Sequence, residues 1–246
     1  YKATNIFTGA APTPVSLIQW FSKLDINIQE AYAMTENTCY SHVTYNDNIK
    51  IGYVGKALPL CDVKLSDKKE ILIKHDALMD GYYKNQLETD KTIINGWLHT
   101  GDEGEIDKKG FLKITGRVKD LFKTSKGKYV APSPIEMLIS ENKYIEQVCV
   151  VGNGLPQPIA LVNLSENGKN ENSKALLMDL KTNLSKVNAK LDKHEKINNI
   201  VVMQEDWTVE NKLLTPTMKI KRNSIEKLYS KKYQQWYSDE DILLMN

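Results

Sequence analysis

Glycines at 96, 101, 104, 110 and 116 punctuate the stretch from Gly96 to Asp120, and between them apolar and polar residues alternate. A chain with this pattern has to turn back on itself as paired strands. Glu105 to Leu112 predicts a hairpin whose turn ends at Gly110. The same block sets one carboxylate, Asp102, at a glycine-rich turn and one guanidinium, Arg117, at the far end of the hairpin. A carboxylate so placed can accept from two neighbouring hydroxyls at once, which suits gripping a ribose.

Around this block the chain has two characters. Upstream, Thr13 and Pro14 ahead of Val15, Leu17, Ile18 and Phe21 predict an N-cap, a proline at the first helical position and an apolar stripe. Asn27 to Tyr32 predicts a short strand running into the loop Ala33 to Glu36, and short apolar runs make Gly52 to Ile73 β-rich. Downstream of Arg117, Ser133 to Glu136 predicts a capping box with proline at the first helical position, its helix running to about Glu141. Glu146–Val151 and Ile200–Met203 predict buried strands. Leu176, Leu177, Leu180, Leu184, Val187 and Leu191 space out an amphipathic helix over 174–193. Asn223 to Glu226 predicts the cap of a last helix. The expectation is an α+β protein: residues 1–118, the β-rich C-terminal part of a larger domain, then a small α+β domain over 119–246.

Composition excludes several classes. A net charge of +2, with 26% charged and 41% hydrophobic residues, describes an ordinary globular chain without the bulk charge that draws in nucleic acid. Cys39, Cys61 and Cys149 are widely spaced, and neither Cys-x-x-Cys nor a cysteine–histidine set at zinc spacing occurs. Reduced thiols and a cytoplasmic location follow as expectations. No run is apolar enough to span a bilayer, which leaves peripheral membrane association open. The chain opens at Tyr1 directly into motif-like sequence, and the expectation is a piece of a longer protein.

The chemistry sits in a series of short motifs. Tyr32-Ala33-Met34-Thr35-Glu36 gathers an aromatic face, a hydroxyl and a hard carboxylate into one pentapeptide. Gly9-Ala10-Ala11-Pro12 is a turn before a helix, and Lys119 follows Arg117 at the change of character. Lys126, Gly127 and Lys128 form a loop whose glycine permits positive φ. Leu214 to Arg222 holds Lys219, a mobile point charge.

In order and spacing these motifs resemble the acyl-adenylate-forming (AMP-dependent synthetase/ligase) superfamily, and the forms around Gly127 and Lys219 resemble long-chain fatty-acid–CoA ligases. The resemblance implies a nucleotide site from Gly9, Ala10, Ala11, Pro12, Tyr32, Ala33, Met34, Thr35, Asp102, Arg117 and Lys219. Thr35, Glu36 and Lys219 would be catalytic, Glu36 the magnesium ligand, Lys119 the hinge of a mobile lid, and Lys126, Gly127 and Lys128 the coenzyme A loop. Lys221 and Arg222 would lie at the surface or meet a coenzyme A phosphate. ATP, Mg2+, coenzyme A and a fatty acid are the implied ligands. Ala33 stands where the family motif has glycine, and Lys126 where a second glycine is common. The family's Ser/Thr/Gly-rich phosphate loop has no counterpart in the chain, so inactivity alone and self-association through uncovered sheet edges are expected. An aryl-CoA ligase, a carrier-protein-loading adenylation domain and a non-catalytic nucleotide-binding module are the alternatives.

Overall fold

A computed structural model describes residues 5–238 and 242–244, and the chain divides into two compact units, Tyr1–Lys119 and Asp120–Asn246. In the first unit, β1 (Ile6–Thr8), α1 (Val15–Ser22), β2 (Ile28–Tyr32), β3 (His42–Val43) and β4 (Lys56–Ala57) come first. They are followed by β5 (Asp62–Leu65), β6 (Glu70–Lys74), α2 (Gln86–Thr92), β7 (Ile93–Ile94), β8 (Trp97–Ile106) and β9 (Leu112–Arg117). One sheet runs β1-β2-β3-β4, with β1 and β2 parallel. The other is antiparallel around β8, which carries β6 along one side and β7 and then β9 along the other. Ile71, Ile73, Leu98 and Leu112 close its core.

The hairpin of β8 and β9 turns through Asp107–Phe111 as the glycine pattern requires. Asp107 Oδ1 accepts from the amides of Lys109 at 2.8 Å and Phe111 at 3.0 Å, and Gly110 holds φ +83°. Helix α1 starts one residue later than its sequence suggests. Pro14 is the N-cap rather than the first helical residue, and Thr13 Oγ1 pairs with Thr8 Oγ1 at 2.8 Å instead of capping. Ile18 is the one buried residue of α1, so its apolar stripe is narrower than the spacing implies.

The second unit holds the hairpin β10 (Phe122–Lys123) and β11 (Tyr129–Val130), then α3 (Pro132–Ile139), β12 (Ile145–Val151), β13 (Ile159–Leu164) and α4 (Glu166–Lys169). It continues with α5 (Ser173–Asn188), β14 (Ile200–Val202), α6 (Arg222–Tyr229), α7 (Tyr233–Tyr237) and β15 (Ile242–Leu244). The sheet runs β12-β13-β14-β15, antiparallel between the first two strands and parallel thereafter. Alternation sorts its side chains into two cores. Val148, Val150, Ala160, Val162, Ile200 and Val202 pack on α3 and α5, whereas Cys149, Val151, Ile159, Leu161 and Val201 pack on Trp207, Ile225, Tyr233 and Trp236. Both faces are covered, which is why the strands read as near-continuous apolar runs.

Helix α5 buries Leu176, Leu180, Leu184 and Val187 and ends before Leu191. Asn172 caps its start at the amides of Lys174 and Ala175, and Asn188 binds both the amide and the carbonyl of Ile197 at its end. The other two helix starts differ from expectation. Helix α3 begins at Pro132 with Ala131 as its extended N-cap, so Ser133 lies inside the first turn and no capping box forms. A residue before proline is pushed to extended backbone, and proline fits the first helical position, so Ala131-Pro132 starts the helix first. Helix α6 begins at Arg222 after Lys221, which places Asn223 inside it, and α7 follows.

Leu180 is fully enclosed between α5 and the sheet. Leu180→Ala is expected to lower the stability of this unit by about 2–5 kcal/mol. Urea unfolding followed by far-ultraviolet circular dichroism measures the change, and a cost under about 1 kcal/mol would show that α5 can collapse onto the gap.

Candidate functional site

The centre of the first unit is a bulge in β8. Against β6, Glu70 pairs with Glu103 and Leu72 with His99, so β8 carries two residues more than its partner across this interval. Gly101 absorbs the excess at φ +73°. Glu70 braces the bulge: its Oε1 accepts from the Gly101 amide at 2.9 Å and its Oε2 meets His99 Nδ1 at 3.0 Å. Thr100 Oγ1 donates to the Ile71 carbonyl at 2.8 Å and accepts from the Asp102 amide at 3.1 Å. Asp102 therefore lies within a strand, not at a turn as the glycines suggest, because the turn chemistry is spent on a bulge that re-aims one side chain.

That side chain is buried, and both its oxygens are engaged. Arg117, directly opposite on β9, donates through Nε to Oδ1 at 2.8 Å, and the Tyr32 hydroxyl donates to Oδ2 at 2.8 Å. Burial, and then the Asp102 charge, push the Tyr32 phenol well above its usual range, so it acts as a donor at every physiological pH. Each carboxylate oxygen retains a further lone pair. The fold thus brings together Tyr32, Asp102 and Arg117, three of the residues singled out in the sequence.

The loops after β1 and β2 lie side by side. The strands are parallel and in register from Ile6↔Ile28 to Thr8↔Glu30. Gly9–Pro12 and Ala33–Glu36 therefore leave from the same carboxyl ends, where open sheets hold their ligands. The approach is close: a Cβ on Gly9 would stand 3.2 Å from the Ala31 carbonyl oxygen. Ala10, the next residue, holds φ +66°. Thr35, Glu36 and Asn37 form a 3-10 turn, with Thr35 exposed. Buried Asn37 fixes that turn by accepting the Met34 amide at 3.0 Å. Glu36 Oε1 accepts from the Tyr82 hydroxyl at 2.8 Å.

In the second unit, Lys219 is exposed on a closed loop pinned by a Leu214↔Ile220 bridge, with the Lys219 amide donating to Thr215 Oγ1 at 3.0 Å. Lys126, Gly127 and Lys128 are exposed on the β10–β11 hairpin, and Gly127 takes φ +78°. Lys119, in a 3-10 turn over Val118–Asp120, ends the first unit. Arg222 corrects the sequence reading: its side chain is 11% exposed and paired with Glu136 and Asp120, so it is no surface group. Glu70, Thr100 and Tyr82 went unseen because nothing local marks them. Asn37, a residue type that organises turns, could have been read from its place after Glu36.

The AMP-binding enzyme C-terminal domain profile matches residues 119–241, half of the chain, and the AMP-binding enzyme profile matches residues 2–83. The chain belongs to the AMP-binding enzyme family. It is 29% identical over 250 residues to the long-chain-fatty-acid–CoA ligase FadD15 of Mycobacterium bovis, covering 95% of this chain and 42% of that protein. It is 31% identical over 267 residues to long chain acyl-CoA synthetase 5 of Arabidopsis thaliana, covering 94% of this chain and 40% of that one. The chain thus spans about two fifths of the length of these curated relatives. Among solved structures, the adenylation domain of a carboxylate reductase from Mycobacterium chelonae superposes with a TM-score of 0.76 at 24% identity, covering 95% of this chain and 38% of that one. The o-succinylbenzoate CoA synthetase of Bacillus subtilis, bound to its acyl-adenylate, gives 0.74 at 23% identity, over 91% of this chain and 46% of that one. These two share the fold.

Two titrating groups, Glu30 within the Tyr32 strand and His42 opposite Tyr32 on β3, have opposite effects. Burial pulls the His42 imidazole from about 6.5 down to about 4, so the unfolded chain takes the proton first and stability is lost as pH falls from 6.5 toward 4. Burial pushes Glu30 up to about 7, so the folded chain holds its proton longer and stability is lost as pH rises from 4.5 toward 7. Glu30→Gln should therefore unmask the His42 dependence, worth about 3 kcal/mol across its window. Urea midpoints against pH should rise from pH 4 to 6.5 more steeply in the variant than in the wild type, and parallel profiles would refute the assignment.

Proposed function

We propose that the chain is the nucleotide-binding tail of the large domain, residues 1–118, and the mobile lid, residues 119–246, of an ATP-dependent long-chain fatty-acid–CoA ligase. In the first half-reaction a fatty-acid carboxylate oxygen attacks the α-phosphorus of ATP, and pyrophosphate leaves with the electron pair of the broken P–O bond. In the second, the thiol sulfur of coenzyme A attacks the acyl carbonyl, its proton passes to water, and AMP leaves with the electron pair of the broken acyl C–O bond. The observation that carries this reading is the Tyr32–Asp102–Arg117 cluster, supported by relatives named as long-chain acyl-CoA ligases.

The residues divide the work as follows. Asp102, held by Arg117 and Tyr32, offers its remaining lone pairs to the two ribose hydroxyls, and charge-assisted bonds of this kind are strong. The Gly9–Pro12 and Ala33–Glu36 loops enclose the adenine, and the Tyr32 ring lies along it. Thr35, exposed at the start of its turn, donates to the α-phosphate. Glu36 fits magnesium: one oxygen is committed to Tyr82 and the other remains, which suits a cation that takes few protein ligands beside water and phosphate. That ion would neutralise phosphate charge. Lys219 meets the negative charge that develops between carboxylate and α-phosphate. Lys119 is the pivot by which the lid exchanges Lys219 for the Lys126–Lys128 loop, which then guides coenzyme A.

Among the described residues no helix is long and apolar enough to cross a membrane. A cytoplasmic enzyme with peripheral access to its acyl substrate fits this reading. The loop that holds the β- and γ-phosphates and most of the acyl pocket would be supplied outside these 246 residues, so the chain alone should not turn over. It should self-associate through uncovered sheet edges, with the exposed Leu17 and Trp20 of α1 adding apolar surface to the contact. Sedimentation of Trp20→Glu against wild type tests this, and equal association would place the contact elsewhere.

In the full-length protein, acid-dependent pyrophosphate exchange over a series of acyl lengths tests the function. An optimum at aromatic or short acids would replace the long-chain reading. Lys219→Ala should abolish exchange while acyl-CoA formation from supplied acyl-adenylate survives, and equal loss of both would make the lysine structural.

A further inference from the structure

Arg222 is the most heavily engaged cation among the described residues of the second unit, and no part of the mechanism above uses it. Its Nη1 donates to the Val150 carbonyl at 2.6 Å and to Cys149 Sγ at 3.3 Å, and its Nη2 donates to Glu136 Oε1. Nε is buried, makes no hydrogen bond, and faces Asp120 Oδ2 across 3.6 Å. The side chains of Arg222, Glu136 and Asp120 are 11%, 17% and 27% exposed, so one guanidinium faces two carboxylates with little water to screen them. Glu136 is displaced from a capping role into this cluster, where its Oε1 also accepts the Val150 amide at 2.7 Å.

Position in the chain gives the cluster its meaning. Arg222 is the first residue of α6, three after Lys219, and the Lys221 amide closes the base of the Lys219 loop on the Leu213 carbonyl at 2.8 Å. Asp120 is the first residue of the second unit, directly after Lys119. The guanidinium thus joins three sequence-distant points, namely the exit of the pivot, the middle of α3 and the root of the lysine loop, to the end of β12.

We infer that Arg222 is a positioning residue, whose buried guanidinium seats Asp120 and the root of the Lys219 loop on one anchor so that turning of the lid is confined to Lys119. This rests on the proposed two-step reaction. The physical ground is that a pivot gives two defined orientations only if the residues on either side of it are rigid. Without the tie to Arg222, rotation spreads into Asp120 and Leu121, and Lys219 loses its fixed distance from the axis. A planar fork is needed because its donors point in three fixed directions, and an ammonium cannot meet them together.

Removing Arg222 leaves two partly buried carboxylates unmatched and risks the fold, so Asp120→Ala is the primary variant. It removes the longest tie and leaves Glu136 and Arg222 matched one to one. In the full-length protein, Asp120→Ala and Arg222→Lys should each lower kcat for acyl-CoA formation by about ten- to a hundredfold. The KM for ATP should stay unchanged, because neither residue touches nucleotide. The double variant should lose no more than the worse single one. Losses that multiply, or that vanish once the temperature is lowered enough to fold the variants fully, would overturn the inference. Hydrogen exchange in the 246-residue chain reads the same tie without catalysis: amides over 120–124 should exchange faster in Asp120→Ala while those of α5 do not change. Unchanged exchange over 120–124 would also overturn it. If the wild type forms no acyl-CoA at all, the proposed function fails, and the exchange measurement alone decides whether Arg222 holds Asp120.

Discussion

A buried carboxylate has to be paid for by partners, and in the first unit everything that matters is arranged to supply Asp102 with them. Arg117 comes from the neighbouring strand, the Tyr32 hydroxyl from the other sheet, and the bulge that aims the carboxylate is braced by Glu70. The two sheets are thereby linked at one charged point. The loops after β1 and β2 leave the first sheet and the Asp102 carboxylate projects from the second, so a hydrogen bond spanning 70 residues of sequence sets the distance between them. An unpaired charge at that depth would cost several kcal/mol, which keeps the arrangement in place before any ligand arrives.

The second unit solves a similar problem with one cation. Its sheet is covered on both faces, so chain segments that enter and leave must cross its ends, where polar groups have to be satisfied. Arg222 meets that need at the end of β12 by taking the Val150 carbonyl and the Glu136 carboxylate together. Burial raises the Glu136 carboxyl, and the nearby guanidinium opposes that rise. The same crowding pushes the Cys149 thiol up to about 12, which makes it an inert core residue rather than a reactive one. Asp102 and Arg222 are thus mirror cases: a buried anion that still has lone pairs to offer, and a largely enclosed cation with three of its five N–H donors engaged within its own unit.

Much of this was legible because it is local. Helix α5 declares itself through leucines at helical spacing, the β8–β9 hairpin through Asp107 and Gly110, and the β10–β11 loop through Gly127. Strand β13, the centre of the second sheet, was not singled out, since a six-residue apolar run carries no period that separates strand from helix. Helix starts shift by a residue or two from the sequence pattern: Pro132 wins over Pro134 in α3, and α6 starts at Arg222 without a side-chain cap.

The sequence by itself determined where the chain turns, which faces are apolar and which short motifs carry oxygen and nitrogen donors. Those properties depend on φ preferences and side-chain period, both of which act over a few residues. Only the tertiary structure decided what each charge faces. It turned Asp102 from a turn residue into a strand residue held by Tyr32 and Arg117, and Arg222 from a surface cation into a buried anchor. The reason is physical: the partner that makes burial of a charge tolerable lies tens of residues away, and no local pattern encodes which distant group the fold will bring to it.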